Sequence, residues 1–150
     1  MFERLFRTED DVVSLMLRVA LGIVMFPHGV QMVLGWFGGY GLAGTWGYMT
    51  GQAHIPAIFA ALAIAPEFAG SLGLIVGLLG RVAAFGVGVA MAVAAFVGGH
   101  VGNGFFMNWT GHQVGEGFEF HILAVALALA VVIRGSGALS LDRLLIGREG

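Results

Sequence analysis

Four stretches of the sequence are long, apolar and poor in charged side chains, and they limit what this chain can fold into. They cover about residues 12–35, 55–79, 82–101 and 117–133. A helix needs about 20 predominantly apolar residues to cross a hydrocarbon layer roughly 30 Å thick, and its backbone must satisfy its own hydrogen bonds there. The sequence therefore predicts a single all-α domain over residues 1–150, a transmembrane four-helix bundle.

Charged residues are too few to cover the surface of a soluble protein. They make up 11% of the 150 residues, against 58% hydrophobic, whereas roughly 25% is usual for a soluble domain. This composition excludes a soluble enzyme and a disordered chain, and a net charge of −2 offers no basic surface to a nucleic acid. The chain also has no cysteine, which excludes disulfides, thiolate nucleophiles and cysteine-held iron–sulfur clusters. Redox chemistry would therefore need a bound cofactor or a companion subunit.

Six of the seven arginines flank the apolar stretches on one predicted side of the membrane. They are Arg4, Arg7, Arg81, Arg134, Arg143 and Arg148. The loops at about residues 36–54 and 98–117 have no lysine or arginine and hold all three tryptophans, as an outer interfacial belt would. We therefore expect cytoplasmic termini, an uncleaved first span, and a cytoplasmic tail over residues 134–150 in which Ser140 caps a short helix.

A ridge of glycines in the second stretch predicts close packing against a neighbouring helix. The glycines are Gly70, Gly73, Gly77 and Gly80. Glu67 lies three residues before Gly70 and therefore heads the same stripe, so we expect its side chain to face protein instead of lipid.

A few ionisable residues lie in or at the ends of the stretches, where a charge costs at least ~2.5–3.5 kcal/mol near the bilayer centre. They are Arg18, His28 and Glu67 and, near the outer boundary, His100, Glu116, Glu119 and His121. A rise of about 1.5 Å per residue puts Glu67 near the midplane and His28 in the outer half. We expect His28, Glu67 and Glu119 to converge on an outward-opening polar pocket, with Arg18 reaching either Glu67 or the cytoplasmic headgroups. Pro27 and Pro66 each precede one of these residues and are expected to open space locally.

Two alternatives use the histidines differently. His28 and His121 lie at similar predicted depth and could be the axial ligands of a haem. His112, Glu116 and Glu119 would share a face and form a metal site if their segment were helical, although Gly111 and Gly115 argue against a helix there. The favoured interpretation has neither haem nor metal.

The order and placement of several short motifs resemble the DoxX family of four-helix membrane proteins over nearly the full length. With Arg18 in the first stretch, the motifs are His28-Gly29-Val30-Gln31, Glu67-Phe68-Ala69-Gly70, Gly80-Arg81, Met91-Ala92, His100, Glu119 and Gly135-Ser136-Gly137-Ala138-Leu139-Ser140-Leu141-Asp142. The family often has lysine near Gln31 and Met32, so this chain departs from it there. The resemblance implies quinone-linked oxidation or a membrane complex that counters oxidative stress.

The residues and the resemblance together predict a membrane subunit that binds a quinone or similar lipophilic carrier. The predicted catalytic residues are Glu67, His28 and Glu119, and the predicted cofactor-binding residues are Arg18, His28, Glu67 and His121. A buried carboxylic acid beside a histidine is suited to relaying the protons that quinone reduction takes up.

The expected surroundings follow from the same interpretation. They are the cytoplasmic (inner) membrane of a prokaryote, a protein partner or a second copy of the chain, and no nucleic acid. The alternative function is a non-catalytic assembly or anchoring subunit of a larger membrane complex. A transporter of a small weak acid has less support, because the sequence has no inverted repeat.

Overall fold

In the computed structural model, which describes residues 3–146, the apolar stretches are helical and no strand occurs within those residues. The α-helices are α1 Glu3–Phe6, α2 Val12–Leu34, α3 Gly41–Gly47, α4 Ala57–Ala65, α5 Ser71–Val76, α6 Gly80–Val97, α7 Glu119–Arg134 and α8 Leu141–Ile146. A 3-10 turn spans Trp36–Gly38, and two π-helical turns span Tyr48–Gln52 and Pro66–Gly70. The all-α prediction is confirmed.

Among the described residues, three helical segments are long and apolar enough to cross a membrane. They are Val12–Leu34, Ala57–Val76 and Gly80–Val97, which match three of the predicted stretches with ends shifted by at most four residues. The fourth stretch forms α7, whose 16 residues give a length of about 24 Å at 1.5 Å per residue. A fourth crossing by α7 stays a prediction.

The two prolines in the spans have different effects. Pro27 lies inside α2, which continues through it to Leu34 and ends where Gly35 adopts φ 74°. Pro66 has no N–H to donate to the preceding turn, and α4 ends at Ala65, directly before the π-helical turn Pro66–Gly70. The second span therefore changes from an α-helix to a π-helical turn at Pro66, and this turn contains Glu67. The predicted opening of space there stays a prediction.

The three span-length segments and α7 pack in a ring, each against two neighbours. The first span, α2, contacts the second, which consists of α4, the Pro66–Gly70 turn and α5. The second contacts α6, α6 contacts α7, and α7 returns to α2. The core between them is made of small and medium apolar side chains: Leu21, Met25, Leu74, Ala84, Val87, Met91, Ala124, Ala128 and Val131.

Large apolar side chains also cover the outside of the ring. They include Met16, Ile23, Phe59, Leu62, Phe85, Phe96, Leu123 and Ile133, all of which are exposed. A soluble protein rarely exposes a contiguous apolar surface of this kind. A lipid bilayer is the environment that suits it.

Both ends of the described chain meet at one end of the bundle, which we call the arginine end because it carries Arg7, Arg81, Arg134 and Arg143. There α1 contacts α8, Gly137 N–H donates to the Thr8 hydroxyl, and Arg81 donates to the Arg7 carbonyl. These arginines therefore lie on one side, as the topology requires, although the cytoplasmic assignment stays a prediction. Arg148 and tail residues 147–150 lie outside the described residues.

Candidate functional site

Arg18 is fully buried at the arginine end, where it bonds only to backbone carbonyls. Its side chain is 1% exposed. Its five N–H groups donate to five carbonyls at 2.6–3.1 Å, those of Leu74, Ile75, Ser136, Ala138 and Leu139. Arg18 therefore bonds neither to Glu67 nor to headgroups, the two expected destinations, and no N–H of its guanidinium is left for a cofactor.

The carboxylate of Asp142 holds the same tail from its other side. It accepts the N–H groups of Leu79 and Gly80 at 2.6 and 2.9 Å and the Ser136 hydroxyl at 2.5 Å. Ser136 is thus shared, since its carbonyl accepts from Arg18. Arg18 and Asp142 together fasten residues 135–142 to the end of α5 and to the turn between α5 and α6. Ser136 and Asp142 were not among the predicted site residues. Both lie in the motif at residues 135–142 that carries part of the family resemblance, and this motif could have pointed to them.

Glu67 faces the inside of the bundle, as its place on the glycine ridge predicts. It is 7% exposed and lies in the π-helical turn, where the Ser71 hydroxyl donates to its backbone carbonyl at 2.5 Å. Within residues 3–146 its carboxylate has no hydrogen bond or ion pair. Gly29 of α2 packs directly on this turn, because a β-carbon on Gly29 would lie 2.6 Å from the Phe68 Cα.

His28 and Glu119 have surroundings unlike those of Glu67. His28 is exposed on the face of α2 that the ring does not cover. The Glu119 carboxylate accepts the Met107 N–H at 2.9 Å and the Trp109 indole N–H at 3.4 Å, so it holds the loop before α7. No hydrogen bond in the described chain joins His28, Glu67 and Glu119, and their convergence on one pocket stays a prediction.

Acidic and amide side chains hold the loop between α6 and α7 by hydrogen bonds to its backbone. Glu116 accepts the Asn108 N–H through its carboxylate, and its carbonyl accepts from Asn103 and from Nδ1 of His100. His112 is exposed. Across residues 3–146 no group of three His, Asp or Glu side chains is placed to hold a metal ion, so the alternative site at His112, Glu116 and Glu119 is not formed.

His121 lies in a groove between α6 and α7, at the end of the bundle away from the arginines. The groove has a volume of about 580 Å³ and is otherwise apolar, lined by Ala92, Ala95, Phe96, Val101, Phe118, Ile122, Val125, Ala126 and Leu129. His121 is 8% exposed, and its Nδ1 is buried without a hydrogen-bond partner in the described structure. An unpaired polar atom in such a place is uncommon and calls for an explanation.

The ring of His100 lies beside that of His121, with 4.4 Å between the ring centroids. The His100 Nδ1 lies 3.0 Å from the Glu116 carbonyl, and a carbonyl only accepts, so this nitrogen carries the proton. The sequence placed His100 near the outer boundary but did not pair it with His121, because 20 residues separate them, most of them in a glycine-rich loop.

The sequence profile of the DoxX family matches residues 13–100, more than half of the chain. The chain belongs to the DoxX family. No curated protein and no solved structure matches it.

The DoxX match covers the first three spans of this protein and ends at His100. It includes Arg18, His28 and Glu67 but stops before Glu119 and His121. The part of the groove formed by α7, and the tail that encloses Arg18, are therefore described by this structure alone.

Proposed function

We propose that this DoxX-family protein is a membrane subunit of a quinone-linked redox system, and that it binds a quinone or similar lipophilic carrier in the groove between α6 and α7. The observation that carries the proposal is the buried, unpaired Nδ1 of His121 in an otherwise apolar groove. A ligand with a polar carbonyl on an apolar ring would fill this groove, and a turn of the buried His121 ring would bring one of its nitrogens to that carbonyl.

The groove is accessible to a ligand dissolved in the bilayer. Exposed side chains of Phe96, Ile122 and Leu129 form its rim, so an apolar tail could leave between α6 and α7 without crossing water. Inside the groove, the imidazole of His121 can donate one N–H in its neutral form. The residues present therefore fit a quinone head group.

A bound quinone supplies the chemistry of taking up two electrons and two protons. In the proposal His121 orients the head group by a hydrogen bond, and the neighbouring His100 ring fixes the position of His121. Glu119 is a positioning residue, because its carboxylate holds residues 107 and 109 of the loop that closes this end. Glu67 keeps its predicted role of holding and passing protons, and Arg18 holds the tail. A proton-passing role of His28, which is exposed on α2 outside the groove, stays a prediction.

The quinone content of purified protein tests this proposal. His121→Leu removes both ring nitrogens, and His112→Leu is the matched control on an exposed histidine of the neighbouring loop. Loss of one hydrogen bond of about 1.5 kcal/mol corresponds to roughly tenfold weaker binding. We expect that loss in His121→Leu and none in His112→Leu.

Glu67→Gln distinguishes the groove from the pocket predicted at the bundle centre. Unchanged quinone content in Glu67→Gln with slower turnover supports the groove and the proton-holding role of Glu67. Quinone loss in Glu67→Gln but not in His121→Leu would show that the head group binds at Glu67 and not in the groove. Protein without quinone in all variants, wild type included, would overturn the redox proposal.

The assembly-subunit alternative is favoured by the aromatic side chains at the outer end. Trp109 and Tyr40 are each 85% exposed, and aromatic side chains of this kind are suited to contact a partner. Co-purification of one stoichiometric partner that is lost in Trp109→Ser, with no quinone in the complex, would support this alternative.

A further inference from the structure

A second cavity lies at the arginine end, where α2 and α6 begin and α7 ends. Its volume is about 300 Å³, and its lining comes from the segment before α2, the start of α6 and the end of α7. The lining residues are Arg7, Thr8, Glu9, Asp11, Arg81, Ile133 and Arg134. Because α2 begins at Val12, α6 at Gly80 and α7 ends at Arg134, the cavity is at the level expected for lipid headgroups.

Two of its arginines are fixed by bonds to the protein. Arg81 donates to the carbonyls of Arg7, Val132 and Ile133, which ties the start of α6 to the end of α7. Arg134 pairs with Asp11 at 3.0 Å, and its side chain is still 54% exposed. A ligand would therefore meet two guanidinium groups that are already ordered, which lowers the entropy cost of binding.

The third arginine and the charge balance favour an anion. Among residues 5–145, whose side chains the structure describes, the Arg7 guanidinium has no hydrogen bond or ion pair, although the Arg7 carbonyl accepts from Arg81. Of the two acids, Asp11 already accepts the N–H groups of Val13 and Ser14 and pairs with Arg134. Three arginines against Glu9 and Asp11 leave one positive charge at the cavity.

We propose that this cavity binds the phosphate of an anionic phospholipid from the leaflet at the arginine end. Guanidinium groups bind phosphate oxygens by strong, charge-assisted hydrogen bonds, and basic pockets between spans at the cytoplasmic side suit anionic headgroups. The exposed Ile133 side chain borders the cavity and gives an acyl chain a path back to the bilayer. A free phosphate ion would gain nothing from that apolar border, so the lipid is the ligand.

Binding of phosphatidylglycerol and phosphatidylcholine to the purified full-length protein tests the proposal, with native mass spectrometry as the readout. We expect phosphatidylglycerol to be retained and phosphatidylcholine to be lost. Arg7→Gln should weaken phosphatidylglycerol binding roughly fivefold, since one arginine near an anionic surface contributes about that factor. Glu9→Gln should strengthen it, because it removes the acid that has no partner in the described structure.

Arg143→Gln is the matched control, because Arg143 lies at the same end but pairs with Asp10 outside the cavity. Equal retention of the two lipids, or equal loss in Arg7→Gln and Arg143→Gln, would overturn the proposal. Displacement of the lipid by millimolar inorganic phosphate would overturn the assignment to a lipid. These outcomes are independent of the quinone measurement, because the two cavities lie at opposite ends of the bundle.

Discussion

Gly77 provides the space that the guanidinium of Arg18 occupies: a β-carbon built on Gly77 would lie 2.9 Å from Arg18 Cζ and 2.5 Å from Ser140 Cβ. Gly77 also adopts φ 71° at the end of α5, which costs a non-glycine residue roughly 1–2 kcal/mol. The turn after α5 therefore depends on glycine for its conformation and for the contact with Arg18.

We expect Gly77→Ala to destabilise the protein by about 2–5 kcal/mol, the sum of backbone strain and the displacement of a packed group. Thermal unfolding in detergent measures the change. Gly47→Ala is the control, because a β-carbon on Gly47 meets nothing within 4 Å. A similar loss in both variants would show that Gly77 has no special role.

The three spans were predictable because apolar length is a local property of the sequence. Their ends were less so, since they depend on single residues such as Asp11, which caps α2, and Gly35, which ends it. The glycine ridge was predicted to face a neighbouring helix, and Gly70 and Gly73 do face α6. Gly77 and Gly80 instead face the returning tail, a contact that helical periodicity cannot indicate.

The environment of Arg18 was not predictable from side-chain types. Its acceptors are backbone carbonyls, up to 121 residues away along the chain, and every residue has such a carbonyl. The charged side chains therefore suggested Glu67 as the partner of Arg18. The carbonyls that Arg18 contacts cannot be recognised from residue types. The pairing of His100 with His121 was missed for a related reason, because an irregular loop brings them together.

Asp142→Asn tests the hydrogen bonds that fix the turn between α5 and α6. Asparagine has one side-chain acceptor oxygen in place of two, and it has no charge to strengthen the bonds from Leu79 and Gly80. We expect a loss of about 1–3 kcal/mol and faster amide exchange at these two residues. Asp10→Asn breaks only an exposed ion pair with Arg143 and should cost less than about 1 kcal/mol. Equal losses would contradict the assigned role of Asp142.

The cap of α2 makes stability depend on pH in the acid range. Hydrogen bonding from the Ser14 hydroxyl lowers the pKa of Asp11 from 3.8 to about 2, with help from the Ser14 and Val13 amides and the charge of Arg134. A carboxylate with a depressed pKa stabilises the folded state above the unfolded pKa, and that contribution is lost as the pH falls through the folded pKa.

The contribution of Asp11 should therefore be complete above about pH 4 and lost between about pH 4 and 2. In Asp11→Asn the unfolding temperature should change less over this interval than in wild type. Parallel curves for the two proteins would show that other carboxylates cause the acid sensitivity.

At Gly29 the main chain of α2 lies directly against the π-helical turn that contains Glu67. A β-carbon on Gly29 would overlap the main chain of Glu67 and lie 2.6 Å from Phe68 Cα, and backbone cannot move aside as a flexible side chain can. We expect Gly29→Ala to lower the free energy of unfolding by at least the roughly 1–3 kcal/mol that is typical of overpacking. The unfolding temperature in detergent should fall accordingly. Gly70→Ala, whose β-carbon would make ordinary contacts from 3.5 Å, should be neutral or slightly stabilising because alanine favours helix. If Gly29→Ala were as stable as Gly70→Ala, α2 and the turn that carries Glu67 would not be in backbone contact.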